Sequence, residues 1–370
     1  LEFNWDRTQI SLALTIFTVV QAFATPVVGR MVDQYGAKEI LIPSVLIFGS
    51  LLSTIPLIVS ELWHLYLIFF LIGSLTAGSA AVTYLRIIGA WFNKRRGLAF
   101  GITMAGGGLG YTYVPPMLQY LIDNFGWRYG YYALAAIVLI LSLPLISLVV
   151  RNKPADMNLR QDGDAEGKII TPEEDITLTL SQVLKLKTFW LLYPIFTLLS
   201  LCLYGLMPHF VPMLQDRGMD TATAALVFST LGITIIVSRA SIGFLLDKYF
   251  APRVAMICVL LSAIGITILA GGAAGGLAFI AAIFVGFSIG AELDLLAYLT
   301  TRYFGLGSFG MIYGLLFSAF LLGVSTGPVI YGAAFETFSS YVNILTSCGI
   351  ILAIAASLML LLPRYKQVGD

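Results

Sequence analysis

Eleven runs of about 20 mostly apolar residues, each closed by charge, glycine or proline, confine this chain to one solvent, because a helix of that length crosses a ~30 Å hydrocarbon layer. They lie near residues 8–32, 39–59, 63–92, 97–122, 129–149, 188–214, 221–247, 253–270, 276–304, 309–334 and 341–362. The spacing predicts an all-α integral membrane protein. Only 11% of the 370 residues are charged, against roughly 25% in soluble domains, so a soluble fold is excluded. The formal charge of +1 is spread between apolar runs and forms no basic stripe, which sets nucleic acid aside. Cys202, Cys258 and Cys348 all sit inside apolar runs and are expected to be core thiols. Nothing in the chain calls for a metal, a cofactor or a catalytic residue.

One connection is long. Residues 150–187 hold 13 of the 21 basic and 20 acidic residues, together with Pro154, Gly163, Gly167 and Pro172. This stretch reads as a solvated linker between an N-terminal bundle, 1–149, and a C-terminal bundle, 188–370. Arg30, Lys38, Lys94, Arg95, Arg96, Lys248, Arg253, Arg364, Lys366 and the linker's six basic residues fall on one side, against Arg7, Arg128 and Arg217 on the other. The positive-inside bias therefore places the linker and the C-terminus in the cytoplasm, with the spans in the cell's inner or plasma membrane.

An internal repeat runs through both bundles. Shifting the sequence by 213 or 214 positions brings Gly29 and Asp33 onto Gly243 and Asp247, and Gly97, Gly101, Gly110 and Pro115 onto Gly310, Gly314, Gly323 and Pro328. Two equivalent halves of six helices make twelve. The first half shows five, and residues before 8 correspond to the loop after the first helix of the second half, so a first helix is expected upstream of this sequence.

Two strings carry a resemblance. Gly29-Arg-Met-Val-Asp33-Gln-Tyr-Gly36-Ala-Lys38 fits the G-x-x-x-D-x-x-G-x-K/R loop of the major facilitator superfamily, and Gly243, Asp247 and Arg253 look like its second copy. Trp91-Phe92-Asn-Lys94-Arg95-Arg96-Gly-Leu98-Ala99-Phe-Gly101-Ile-Thr-Met-Ala105-Gly106 resembles the fifth-helix signature of the monocarboxylate transporters, departing at Trp91 and Thr103. The resemblance implies a fold of two pseudo-symmetric six-helix bundles, with eleven of the twelve helices present. Physically, Gly29 and Gly243 permit close helix approach. Each Asp sits at the C-terminal end of its helix, where the dipole disfavours it, and needs a cation or another helix's N-terminus. Arg95 or Arg96 is the expected partner of Asp247, and the start of the 309–334 helix that of Asp33.

Ionisable groups at membrane depth are costly and usually functional. Here they are Arg86, His209, Arg239, Glu292, Asp294 and, nearer an edge, Arg302. Arg239 lies two turns before Asp247, about 12 Å along the helix, too deep to snorkel easily. Its fixed fork of donors suits a carboxylate ligand. It also matches the eighth-helix arginine with which monocarboxylate and oxalate transporters hold the substrate anion, although the aspartate that animal members carry one turn earlier is Ile235 here. The competing role is a salt bridge to Glu292 or Asp294, and the two roles fit different states of a cycle.

Glu292 and Asp294, two residues apart, face different ways, whereas Asp294, Tyr298 and Arg302 share a face. Either acid suits a proton carrier, and a permanent bridge to Arg86 or Arg239 is the alternative. His209, between Pro208 and Pro212, is expected in a broken helix, either titrating near neutral pH or held neutral by a backbone carbonyl. Arg86 is either a second anion contact or a snorkelling cation, and Tyr84, Tyr113 and Tyr298 offer hydroxyls to a carboxylate or apolar packing. The 309–334 helix has no Lys, the residue that the oxalate antiporters use there for a second carboxylate, so a monoanion is favoured.

The reading is a secondary transporter of small organic monocarboxylates working by alternating access, with proton symport favoured. Its partners are the carboxylate, protons and the lipid bilayer. Carboxylate exchange is the nearest rival, and a non-transporting membrane sensor on the same fold is a more distant one.

Overall fold

The structure is a computed structural model that describes Trp5, residues 7–162 and residues 177–365. The linker acids Asp164, Glu166, Glu173, Glu174 and Asp175, together with Lys366, lie outside the described residues, as does the side chain of Arg7. Everything regular among the described residues is helical. In chain order the helices are α1 (Arg7–Tyr35), α2 (Ala37–Ile58), α3 (Leu62–Leu75), α4 (Ala81–Trp91), α5 (Arg96–Phe125), α6 (Trp127–Ala136), α7 (Leu143–Val149) and α8 (Leu180–Val183). They continue as α9 (Lys187–Leu206), α10 (Phe210–Asp216), α11 (Thr221–Lys248), α12 (Ala251–Ala270), α13 (Gly276–Phe304), α14 (Phe309–Phe338) and α15 (Val342–Met359).

Nine helical stretches among the described residues are long and apolar enough to cross a membrane, and α3 is a shorter apolar helix. Three expected runs turn out to be composite, the one over 129–149 passing from α6 through a π-helical segment, Ile137–Ser142, into α7. The stretch expected as one span over 63–92 is divided into α3 and α4 by a tight turn at Ala77–Ser79, where alanine, glycine and serine leave the backbone without bulky packing to hold a regular helix. The stretch 188–214 bends through Met207–His209 into α10, as Pro208 and Pro212 dictate by removing backbone donors. The residues of 97–122 lie within the 30-residue α5, whose glycines and tyrosines make it less apolar than its neighbours.

Helix ends follow local chemistry. Gly36 joins α1 to α2 at φ 100°, a conformation open to glycine, and a Cβ there would meet the Glu39 carboxylate. Lys38 donates its Nζ proton to the Ser147 carbonyl at 2.8 Å, and its backbone N–H to Asn152 Oδ1 at 2.8 Å. A cation thus meets the negative end of α7. Asp220 caps α11 by accepting from the Thr223 N–H at 2.9 Å, and this hydrogen bonding holds its carboxyl below the usual range.

The chain divides into two compact units. The first comprises Leu1–Asn93, Gly106–Leu178 and Phe304–Ser318, and the second Lys94–Ala105, Thr179–Tyr303 and Ala319–Asp370. Each unit therefore takes a helix beginning from the other half of the sequence. In the first unit α1 packs on α3 and α2 on α6, around Ala13, Leu52, Ile55, Leu65, Ile68 and Ala135. In the second, α12 runs along α15, and a core including Leu203, Phe210, Val259, Val285 and Leu352 joins α9 to α15.

Glycine contacts explain the exchange of helix beginnings. In the first unit a Cβ on Gly29 of α1 would overlap the Gly310 carbonyl of α14, and one on Gly310 would overlap the Gly29 carbonyl. In the second unit Gly243 of α11 and Gly97 of α5 meet in the same reciprocal way. These are the residues that the internal repeat superposes. Gly29→Ala is expected to destabilise the protein by about 1–3 kcal/mol through overpacking. Gly232→Ala, where an added Cβ meets nothing within 4 Å, should leave thermal unfolding in detergent unchanged.

Candidate functional site

Each Asp of the repeated motif closes the start of a helix. Asp33 accepts from the Gly310 and Met311 N–H groups, both at 2.9 Å, and Asp247 from the Gly97 and Leu98 N–H groups, at 2.7 and 2.9 Å. A carboxylate that its own helix's C-terminal dipole would destabilise is thus placed on the positive end of another helix, whose orphan donors it satisfies. The expected place of Asp33 is met. Asp247 takes the backbone N–H groups that follow Lys94, Arg95 and Arg96 in the chain. A helix that opens on three basic residues gains the negative charge its N-terminus calls for.

The two copies differ in what stands beside the carboxylate. Arg86 of α4 brings its Nε to 3.5 Å from Asp33 Oδ1, so this arginine is engaged within the first unit. A shift of the sequence by 212 positions puts Tyr298 of α13 on Arg86. Tyr298 is 3% exposed, and its hydroxyl accepts from Arg302 Nη2 at 3.0 Å.

The second unit holds the in-membrane acids. Arg239 of α11 places Nη1 3.6 Å from Asp294 Oδ1 of α13, and the Asp294 side chain is fully buried. The helices that carry them are pressed together, since a Cβ on Gly286 or Gly290 of α13 would meet the Leu231 or Ile235 carbonyl of α11. Ser238, beside Arg239, donates to the Phe287 carbonyl at 2.5 Å. On the other side of α11, a Cβ on Gly101 of α5 would overlap the Arg239 carbonyl. Small residues on three helices thus fix the arginine's backbone, while neither Arg239 Nη1 nor either Asp294 oxygen has a hydrogen-bond partner among the described residues. The pair is an ion pair with unused hydrogen-bonding capacity. Glu292 does not join it. Fully buried, it has no partner for either oxygen.

The remaining sequence-derived residues are dispersed. Tyr84 packs at the edge of an apolar cluster of Val32, Ala37, Leu41, Val45 and Ile87. Tyr113 is 70% exposed. His209 sets Nε2 3.1 Å from the Pro328 carbonyl and Nδ1 3.1 Å from the Tyr341 hydroxyl, with its ring stacked on Tyr331. A carbonyl can only accept, so Nε2 donates to it, and both ring nitrogens are engaged. The three cysteines are buried and free, and no metal-binding cluster of His, Cys, Asp and Glu occurs among the described residues. Sequence reasoning missed Ser238 and Ser288; the one signal that could have found Ser288 is its place one helical turn before Glu292.

Paired helical units with buried charges at membrane depth, each built from pieces of both sequence halves, define a polytopic membrane transporter. The comparisons agree. Residues 1–328 match the family profile described as Major Facilitator Superfamily, and the chain belongs to that superfamily. Human monocarboxylate transporter 12 is 25% identical over 395 residues, covering 96% of this chain and 73% of its own. Rat monocarboxylate transporter 13 is 25% identical over 370 residues, with 98% and 82% covered. Among solved structures, the E. coli fucose:proton symporter FucP aligns with a TM-score of 0.73 at 11% identity, covering 97% of this chain and 92% of its own. The human organic anion transporter MFSD10 aligns at 0.66 and 15%, covering 93% and 82%. At those identities the structural likeness speaks to the fold alone. The protein is an integral membrane transporter and not an enzyme.

Removing one side of the buried pair tests its role in stability. Asp294→Asn strands the Arg239 cation and should destabilise the fold by about 3–5 kcal/mol. Adding Arg239→Gln should recover most of that loss, which a double-mutant cycle of thermal unfolding in detergent would read as coupling.

Proposed function

We propose that this transporter moves small organic monocarboxylate anions by alternating access, coupled to protons, with Arg239 as the anion anchor. The observation that carries the reading is the Arg239–Asp294 pair. A guanidinium 14% exposed, held at 3.6 Å by a carboxylate and with donor capacity unused, is poised to exchange that acid for a substrate carboxylate. Support for the substrate class comes from the relatives named monocarboxylate transporters. Engagement of Arg86 with Asp33 supports a ligand with one negative charge, since the other arginine weighed as an anion contact is already occupied. Tyr298, bonded to Arg302, shares a helix face with Asp294 four residues away. The positive-inside pattern supports a cytoplasmic linker and C-terminus in the inner or plasma membrane.

The test is uptake of labelled lactate, formate and benzoate into proteoliposomes of the full-length protein, with and without an acid-outside gradient. Accumulation driven by the gradient is expected. Arg239→Ala should lower kcat/KM by about 10–100-fold, the range for losing a charged hydrogen bond. Flux that appears only in vesicles preloaded with a second acid would mean exchange, and ligand binding without flux would mean a sensor.

A further inference from the structure

Two acids two residues apart on α13 have opposite circumstances. Asp294 meets Arg239, whereas Glu292, about 200° around the helix at 100° per residue, faces away from it. Glu292 is 0% exposed, and neither carboxyl oxygen has a hydrogen-bond partner or a cation within salt-bridge distance among the described residues. One turn earlier, Ser288 is 1% exposed and its hydroxyl is likewise unpartnered. From α9 the titratable group facing Glu292 is the Cys202 thiol. Behind it, Tyr331 of α14 gives its hydroxyl proton to the Cys202 carbonyl at 3.0 Å and lies 3.3 Å from the Cys348 sulfur of α15. On α11 Arg239 is engaged with Asp294, and on α13 itself the other titratable groups are Asp294, Tyr298 and Arg302. No cation is left to pair with Glu292 in this arrangement.

A lone carboxylate sealed in an apolar niche costs so much that the group neutralises instead. Glu292 therefore holds a proton here, about 24 Å from the Gly276 end of α13 and about 18 Å from its Phe304 end at 1.5 Å per residue. We propose that Glu292 is the group that binds the coupled proton, while Asp294 stays ionised against Arg239. The proposal rests on the proton-coupled reading above. The step is a protonation only: the carboxylate takes H⁺ from the acidic side and returns it on the other, with no other bond made or broken.

Charge accounting supports the assignment. With a monoanion bound and Glu292 protonated, the group of Arg239, Asp294, Glu292 and substrate carries one negative charge. With substrate gone and Glu292 ionised it also carries one. The two forms that must cross are electrically equal, and one proton accompanies each anion. The substrate-free protonated form is neutral.

Glu292→Gln mimics the protonated acid permanently. In proteoliposomes it is expected to lose acid-driven accumulation and substrate-linked H⁺ uptake, while exchange of labelled for unlabelled lactate stays within about twofold of wild type and no longer varies with pH. Glu292→Asp, which keeps a titrating group, should restore accumulation with a shifted pH profile. Continued accumulation by Glu292→Gln would overturn the proposal. So would loss of exchange together with accumulation in a variant whose thermal unfolding matches wild type, or failure of Glu292→Asp to accumulate although it exchanges. Wild-type protein that shows no acid-driven accumulation would remove the proton-coupled reading itself, an outcome separate from either variant's behaviour.

Discussion

A hydrocarbon interior supplies no partner to a polar group, so a charge held within it has to find one inside the fold or carry a neutralising proton. The arrangement of the helices follows from that. Two aspartates at unfavourable helix ends dock on the first N–H groups of other helices, Asp33 on Gly310 and Met311 and Asp247 on Gly97 and Leu98. Docking requires backbone contact, and backbone contact requires glycine at Gly29, Gly97, Gly243 and Gly310. The electrostatic demand and the steric permission are written into the same short motif.

The same constraint sorts the ionisable residues by role. Arg86 serves Asp33, and Arg302 is turned to the Tyr298 hydroxyl, so both belong to the neighbourhood of the helix-end carboxylates. His209 is absorbed by a carbonyl and a tyrosine and links three helices of the second unit. Arg239 and Asp294 meet as opposite charges while Arg239 Nη1 and both Asp294 oxygens have no hydrogen-bond partner among the described residues. Glu292, fully buried, has no hydrogen-bond partner among the described residues.

Much of the architecture was legible because membrane helices announce themselves by length and hydropathy. The repeat offset predicted that Gly29, Asp33 and Gly97 are equivalent to Gly243, Asp247 and Gly310, and these residues occupy matching contacts in the two units, whereas Gly110 has open space where Gly323 is tightly packed. Proline spacing likewise located the break at His209. Less legible was the division of 63–92 into α3 and α4, because the Ala77–Ser79 turn interrupts an apolar run without any charge or proline to mark it. Of the site residues, Arg239 was singled out by its depth together with the family resemblance. Whether its contact was Glu292 or Asp294 could not be read from a spacing of two, since the rotation of α13 about its own axis is set by the packing of Gly286 and Gly290 on α11.

By itself, then, the sequence determined the solvent, the helical class, the twofold repeat and the short inventory of charges that lipid would not tolerate, since each of these follows from local composition and period. Tertiary structure decided who meets whom. It gave Asp33 and Asp247 the N-termini of helices nearly 280 and 150 residues away in the chain, paired Arg239 with Asp294, and left Glu292 alone. Those outcomes depend on helix rotation and close backbone approach, which contacts between distant segments fix and no local pattern encodes.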